Sequence, residues 1–366
     1  MTGRKNSSER SRKTGLSSVF PVIIGFLVIA LIILLDGGNP AFVFYKSFKG
    51  AVFTRIGILQ TLAGTTPILL TSLTFTMGYR CGLFNIGAEG AMLIGAAATV
   101  AVGGMLHLPP GLHQLAVLVS AAAGGMLWSI PVAFLKVKRQ VHEVVSTIMM
   151  NWTALFLIGF LISWPLRDIE VAYGTYAVDI LPSARFPVLV ARGPLTAVLY
   201  VGILAAFIVY VLMWHTRSGQ HIRATGYDID AARSAGINTP LMMTLSFAIG
   251  GASAGIAGSA LTAGMPPLWT VTEELSGLRG VGFMGIAVAM IGRNHPVWCI
   301  IAAFFVSTIK TSRFYLQQIG IAPELTDIFN GIIVFSFALP EIYRMLGRGL
   351  KELSSRKQEY HHAEAA

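Results

Sequence analysis

The chain has 366 residues, of which 54% are hydrophobic and only 12% are charged, whereas soluble domains carry about 25% charged residues. This composition excludes an ordinary soluble domain, which needs more charge to cover its surface. The net charge of +10 could suit nucleic acid, but the basic residues are clustered between apolar runs. That pattern is typical of a membrane protein with basic cytoplasmic loops and not of a nucleic-acid partner.

The first 16 residues are basic and polar, and an apolar run follows from Val19 to Leu35. A signal peptide would begin in the same way. However, the run is long for a signal peptide and ends in LIILLDGGNP, which contains no clear A-x-A cleavage site. The sequence therefore predicts a cytoplasmic segment over 1–16 and an uncleaved first transmembrane helix.

Because a helix needs about 20 apolar residues to cross a bilayer, the sequence predicts about ten spans, with eight to ten as the range. The apolar segments lie near 17–35, 56–78, 86–106, 114–135, 144–163, 195–214, 241–264, 280–292, 296–310 and 326–346. The eighth and ninth are short, so they are either half-helices or one broken pair. The predicted fold is an all-α polytopic bundle, with a transmembrane domain over 17–346 and a cytoplasmic tail over 347–366.

The loop charges predict the orientation. With ten spans and a cytoplasmic N-terminus, 18 of the 27 Lys and Arg residues lie inside and 9 outside. The outside group includes Lys310 and Arg313. Because basic loops stay on the cytoplasmic side, this 2:1 bias places both termini inside.

Small residues recur every four positions within two predicted spans. Gly87, Ala91 and Gly95 form one series, and Gly251 and Gly255 form another. Helices in lipid pack closely through such faces, so the spacing predicts a compact bundle.

The first polar feature is RCGLFNIGAEG at 80–90. It places Asn85 and Glu89 four residues apart, on one helical face. A carboxylate at membrane depth is costly and by default indicates function. Helix capping is the alternative, since Asn85 is a good N-cap and Glu89 would occupy the favourable first turn.

The second feature is HEVVSTIMMNW at 142–152. Four of its residues share one helical face: Glu143, Thr147, Met150 and Asn151. A polar stripe in an apolar span should face a cavity or another helix. The alternatives are hydrogen bonds between helices or an ion pair of Glu143 with Lys138 or Arg139.

The third feature, 215–240, is too polar to span a membrane. Residues 230–236 can form a short helix that begins at Asp228 or Asp230 and stops at Gly236. A short helix held between two spans on the cytoplasmic side is suited to receive force from another protein. The alternative is a solvated connector.

The fourth feature is the outside segment 264–274, which contains two prolines and is followed by a Gly-rich stretch over 277–292. Such interruptions at membrane depth are tolerated where the backbone lines a cavity or is covered by protein, and they can indicate transport sites. An ordinary loop and a kinked helix are the alternative.

Several motifs are missing from the sequence. It contains no P-loop, no H-E-x-x-H and no G-x-S-x-G, so no catalytic residue is predicted. Cys81 and Cys299 are too distant in sequence to form a close-spaced motif. Two pairs of histidines, His107 with His113 and His215 with His221, are each separated by six residues. This spacing does not place both rings of a pair on the same helical face, and no cluster of acidic ligands lies nearby. No metal site is predicted.

Four stretches together carry a family resemblance: 82–96, 142–152, 226–237 and 282–296. The chain resembles the permeases of binding-protein-dependent ABC importers for simple sugars and nucleosides, most of all the nucleoside type. This resemblance implies a multi-pass transport subunit in the inner (plasma) membrane, which is not itself an enzyme. It also implies three protein partners: a cytoplasmic ABC ATPase, a second permease that is homologous or identical, and an extracytoplasmic substrate-binding protein.

The resemblance also implies that ATP and Mg²⁺ are used by the ATPase and that this chain binds no cofactor. It implies that residues 226–237 dock on the ATPase, through Gly226, Asp228, Ala231, Ala232 and Gly236. Polar residues that could bond a hydroxyl-rich cargo, and aromatic rings that could stack on a base, make up the predicted substrate pathway: Phe84, Asn85, Glu89, Glu143, Thr147, Asn151 and Trp152.

Two other functions would have their own sequence patterns. An ion-coupled secondary transporter of small polar solutes would show inverted repeats and paired acids deep in the bundle. A membrane enzyme would show a catalytic constellation at one membrane face. The sequence shows neither pattern.

Overall fold

A computed structural model describes residues 25–35, 37–169, 176–267, 269–272, 274–275, 277–318, 328 and 331–332. The helices are, in chain order, α1 (Gly25–Leu35), α2 (Pro40–Phe48), α3 (Arg55–Arg80), α4 (Ala88–Met105), α5 (Leu112–Arg139), α6 (Glu143–Ser163), α7 (Val198–His215), α8 (Arg217–Tyr227), α9 (Ile229–Ser234), α10 (Thr239–Thr262), α11 (Val281–Ile291) and α12 (Pro296–Gln318). One turn of π-helix, Lys49–Phe53, follows α2. Within these residues the only β-structure is a few isolated bridges.

The chain divides into two compact units. Residues 1–46 and 316–366 form the smaller unit, in which the Phe26 ring packs edge-to-face on Phe44 at 5.6 Å. Residues 47–315 form the larger unit, and the residues of the candidate functional site belong to it.

Seven of the described helices are long and apolar enough to cross a membrane: α3, α4, α5, α6, α7, α10 and α12. The number rises to eight if residues 25–53 count as one span. The predicted polytopic helical bundle is therefore confirmed. The first predicted segment is described only from residue 25, and most of the tenth, 326–346, lies outside the described residues.

The eighth predicted segment is not a full span. Helix α11 has 11 residues, which at 1.5 Å per residue gives about 16 Å, roughly half of the hydrocarbon thickness. The ninth segment, by contrast, is the full-length helix α12, with 23 residues. Of the two sequence-based alternatives, the half-helix is correct for the eighth segment alone.

The charge count assumed that Lys310 and Arg313 lie in an outside loop. They do not, because α12 continues through both residues. The helix tolerates this polar stretch since its hydroxyls bond within the helix. Thr308 donates to the carbonyl of Phe304, and Ser312 donates to the carbonyl of Thr308, both at 2.9 Å. Lys310 therefore lies inside a spanning helix, where a charge is costly and calls for a partner.

The predicted glycine faces form the centre of the bundle, where α10 packs against α4 and α5. A Cβ on Gly95 would overlap the backbone of Gly255. A Cβ on Gly255 would overlap the carbonyl oxygen of Ala121 and lie 3.1 Å from the amide of Gly125. Three helix backbones thus meet at one level, which confirms the close packing that the small-residue spacing predicted.

One end of the bundle carries a group of eight basic residues. The ends of α3 and α11 meet there, because Arg80 Nε donates to the carbonyl oxygen of Asn294 at 2.8 Å. The "basic end" is defined by Arg80, Lys136, Lys138, Arg139, Arg217, Arg223, Arg233 and Arg293. All eight belong to the group that the charge count assigns to the cytoplasm.

At the opposite end, the loop between α10 and α11 is covered by residues 176–197. Three backbone hydrogen bonds of 2.9–3.0 Å tie these segments: Ala177 to Val271, Ile180 to Trp269, and Phe186 to Ala263. The guanidinium of Arg185 lies over the Trp269 ring at 5.2 Å. The Pro-containing segment is therefore irregular backbone covered by protein, one of the two arrangements that permit such backbone at membrane depth.

Candidate functional site

The connection between α3 and α4 carries the first of the predicted pathway residues. Asn85 is only 2% exposed, and its Oδ1 accepts a hydrogen bond from the amide of Gly87 at 2.9 Å. Gly87, rather than Asn85, is the N-cap of α4. The prediction that Asn85 is the N-cap is therefore wrong, because the N-cap lies two residues later. The Asn85 side chain closes an Asx turn instead.

Glu89 lies in the first turn of α4, but its carboxylate caps a different helix. Oε1 accepts from the amide of Gly280 at 2.6 Å, and Oε2 accepts from the amide of Gly282 at 2.7 Å. These amides begin α11, where a helix has unsatisfied N–H groups and a partial positive charge. Glu89 is 7% exposed, and both of its carboxylate oxygens hold the N-terminus of the half-length helix.

The N-terminus of α11 lies well inside the bundle. Thr71 of α3 donates to the carbonyl of Val281 at 3.2 Å. Since Thr71 precedes Arg80 by nine residues on α3, this level is about 13 Å from the basic end.

The polar stripe of α6 faces the α3–α4 connection and the first turn of α4. Asn151 accepts from the amide of Gly90 at 2.8 Å and donates to the carbonyl of Ile86 at 3.0 Å. Thr147 is buried and donates to the carbonyl of Glu143 at 2.7 Å. This arrangement corresponds to the alternative of hydrogen bonds between helices.

Glu143 fixes the other side of the same connection. One carboxylate oxygen lies 2.7 Å from the ammonium of Lys136, and the other accepts from the amide of Phe84 at 3.3 Å. The predicted basic partner, Lys138 or Arg139, is wrong. The actual partner, Lys136, precedes them on α5 by less than one helical turn. Lys136 is the lysine that α5 presents to α6 once the chain turns at residues 140–142.

The two aromatic pathway candidates lie apart from these polar residues. Phe84 is 39% exposed and packs edge-to-face on Phe75 at 5.0 Å. Trp152 is 54% exposed and stacks on Phe156 at 6.3 Å. The structure therefore brings the polar candidates together inside the bundle and leaves both rings at its surface. Their role in a substrate pathway stays a prediction.

The segment predicted to contact another protein forms two short helices. Asp228 joins α8 to α9, and its Oδ1 accepts from the amides of Asp230 and Ala231, both at 2.9 Å. Gly236 has a φ of +81°, which glycine adopts without strain. The predicted short helix, its cap and its stop are confirmed. Helix α8 was not predicted, although Thr216, which caps it by accepting from the amide of Gly219, is a recognisable start signal.

The residues assigned to ATPase contact differ in exposure. Asp228, Ala231 and Gly236 are exposed, whereas Ala232 is buried against the bundle. Gly226 is half-buried, and a Cβ there would overlap the carbonyl oxygen of Arg80. The exposed side of α9 is thus open to a partner, while its buried side and Gly226 join it to the rest of the chain.

Sequence reasoning missed an aromatic and basic cluster around Trp214. The guanidiniums of Arg80 and Arg223 lie 5.3 and 5.6 Å from the Trp214 ring, and the His295 ring lies 4.5 Å from it. Burial lowers the pKa of His295 below its ordinary value, and the charge of Arg80 acts in the same direction. The imidazole is therefore neutral near pH 7. No local pattern could reveal this cluster, because its members come from four separate elements.

His113, one of the histidines considered as a metal ligand, is fully buried with both ring nitrogens engaged. Nδ1 is 2.8 Å from the hydroxyl of Ser183, and Nε2 is 3.0 Å from the carbonyl oxygen of Val102. The ring therefore joins the C-terminal end of α4 and the N-terminal end of α5 to residues 176–197, which cover the loop between α10 and α11.

A family model described as "Branched-chain amino acid transport system / permease component" matches residues 57–338, which is most of the chain. The chain belongs to this permease family. The permease has 32% identity over 342 residues to the guanosine ABC transporter permease protein NupP of Bacillus subtilis, covering 92% of this chain and 97% of that one. Identity is 28% to the nucleoside ABC transporter permease protein NupB of Lactococcus lactis, covering 93% and 94%.

A third relative of the permease is the glucose ABC transporter permease protein TsgB13 of Haloferax volcanii, with 26% identity over 85% of this chain and 84% of that one. These matches confirm the resemblance deduced from the motifs. The permease is a multi-pass plasma-membrane protein and the membrane-spanning subunit of an ABC importer.

Losing the charge of Glu89 should stop transport without preventing insertion. In Glu89→Gln, the amide oxygen can accept from only one of the two α11 amides, and the other N–H is left buried and unpaired, which costs roughly 1–3 kcal/mol. We expect normal amounts in the membrane, a lower thermal midpoint in detergent and no uptake. Glu274→Gln, which removes an exposed carboxylate, is the control. Wild-type uptake by Glu89→Gln would show that transport does not need the Glu89 carboxylate.

Proposed function

We propose that this permease moves nucleosides, or alternatively simple sugars, across the plasma membrane with energy from a separate ATPase. The observation that carries the proposal is the match to the guanosine permease over 97% of that protein's length. A second relative, named for nucleosides, and a third, named for glucose, support the same cargo classes. Nucleosides come first because the two relatives with higher identity are named for them.

On this proposal the basic end faces the cytoplasm, and both chain termini lie on that side. The loop charges of the sequence support this orientation, because the basic loops and basic terminal segments assigned to that side remain cytoplasmic. The exposed side of α9 then meets the ATPase. Its position between two spanning helices, with Asp228 as its cap, supports a role in receiving force from that partner.

The other expected partners follow from the importer role. An extracytoplasmic binding protein would deliver cargo to the end formed by residues 176–197 and 263–280. A second permease, homologous or identical, would complete the translocation path. ATP and Mg²⁺ would be bound by the ATPase, so that this chain would carry no cofactor and perform no covalent chemistry.

Uptake by intact cells tests the proposal. Cells that lack this chain are compared with complemented cells, using labelled guanosine, uridine, ribose and glucose, and the partner ATPase is inactivated in a parallel strain. We expect uptake of at least one nucleoside to need both the chain and the ATPase. Uptake that persists without the ATPase would favour the ion-coupled transporter. Uptake of glucose or ribose alone would replace nucleosides by sugars.

A further inference from the structure

The half-length helix α11 is held at both ends by charged side chains of opposite sign. Glu89 accepts from the amides of Gly280 and Gly282 at its N-terminus. Beyond its C-terminus, Arg80 Nε donates to the carbonyl of Asn294 at 2.8 Å, and Arg80 Nη2 donates to the carbonyl of Arg293 at 3.1 Å. An anion at the start and a cation at the end of a helix both complement its dipole.

Between these two ends, α11 lies closely against its neighbours. A Cβ on Gly285 would lie 2.6 and 2.7 Å from the backbone of Thr71 and Ser72, and a Cβ on Gly282 would lie 2.5 Å from the backbone of Glu89. Apart from the Thr71 hydroxyl and the Glu89 carboxylate, these close contacts are with backbone atoms, which cannot move aside as the end of a flexible side chain can. A movement at one end of this 11-residue helix therefore reaches the other end.

Arg80 is also the point at which the α8–α9 segment meets α11. Gly226, the second-last residue of α8, lies against the carbonyl of Arg80, and a Cβ there would be 2.8 Å from the amide of Gly82. The Trp214 ring lies within 5.6 Å of two guanidiniums, those of Arg80 and Arg223. Since Arg223 belongs to α8, a displacement of α8 acts on Arg80 through both its backbone and its side chain.

We propose that Arg80 is a positioning residue for transport, which passes the movement of α8 and α9 to α11 and so to Glu89 inside the bundle. This inference rests on the proposed function, because it assigns a path to the force that an ATPase would apply at α9. The guanidinium is suited to the task, since its rigid fork holds two carbonyl oxygens at once while its face lies on an aromatic ring. A lysine at this position would keep the charge and lose the fork.

The test uses the complete importer, purified with its ATPase, second permease and binding protein and reconstituted in liposomes. Uptake of labelled nucleoside and ATP hydrolysis are measured together, so that the cargo moved per ATP is obtained. For Arg80→Lys we expect an assembled complex that still hydrolyses ATP but moves at least about fivefold less cargo per ATP. This factor is the lower limit of typical coupling between two sites. Arg293→Lys is the matched control, because its exposed side chain is next to the same turn and only its backbone carbonyl meets Arg80.

A second variant guards against misfolding of the first. Trp214→Leu removes the ring beneath both guanidiniums and leaves the hydrogen bonds of Arg80 in place, and we expect a loss in the same direction. An unchanged ratio of cargo to ATP in the variants that assemble would overturn the proposal, as would a parallel fall in uptake and hydrolysis. If the wild-type complex shows no ATP-dependent uptake, the proposed function itself fails, and this outcome is distinguishable from the others.

Discussion

Replacing Gly255 with leucine should prevent the permease from accumulating as a folded protein. At this position α10 approaches α5 so closely that even a Cβ would overlap the carbonyl oxygen of Ala121, and Gly95 of α4 touches the same residue from another side. A leucine must push three helices apart, and lipid provides no hydrophobic force to hold them together at a distance. We expect no monodisperse peak in fluorescence-detected size-exclusion chromatography.

The control for this prediction is Gly159→Leu on α6. A Cβ at Gly159 meets nothing within 4 Å, so the same change in volume and hydrophobicity should leave the peak unchanged. Gly255→Ala should be intermediate, because a methyl group demands a smaller shift. Equal peaks for Gly255→Leu and the wild type would show that the contact between α4, α5 and α10 does not hold the bundle together.

Asp228→Ala should abolish uptake while the protein still reaches the membrane. Loss of an N-cap costs roughly 0.5–2 kcal/mol, a large amount for α9, which has only six residues. The exposed helix would unravel and could no longer receive force from the ATPase. Uptake of labelled nucleoside and co-purification of the ATPase from detergent are the two measurements, each normalised to the amount of permease.

Asp228→Asn separates two possible reasons for that loss. Asparagine accepts the same hydrogen bonds as a cap, so wild-type behaviour would show that the helix, and not the charge, is required. Loss of ATPase binding by Asp228→Asn would instead mean that the partner recognises the carboxylate. Normal uptake by Asp228→Ala would refute the proposed docking role of α9.

Features governed by local physics could be predicted from the sequence. The long apolar runs identified α3 to α7 and α10, because the length of such a helix must match the bilayer. Asp228 and Gly236 identified the ends of α9, since an N-cap and a left-handed glycine act on their own backbone neighbours. The small-residue series identified the packing face of α10 for a similar reason, as spacing on a helix is a property of the helix alone.

The partners of the polar residues could not be predicted in this way. The sequence predicts a role for Glu89 either in its own helix or in a pathway, but its carboxylate caps a helix whose N-cap, Gly280, lies 191 residues later in the sequence. Apolar length predicts a loop at Lys310, whereas α12 continues through this residue. Glu143 was assigned a basic partner on the correct helix, and the structure selects Lys136 because of the turn between α5 and α6.

The sequence by itself determined that this chain crosses a membrane many times, belongs with ABC importer permeases and carries a short capped helix in a polar loop. Composition, hydrophobic length and motif spacing are all read along the chain, and each is sufficient for its conclusion. Only the tertiary structure decided that α11 is a half-length helix held between Glu89 and Arg80, with Trp214 beside it. Those contacts join residues that are far apart in sequence, and a buried charge acquires its role only from the groups that the fold brings to it.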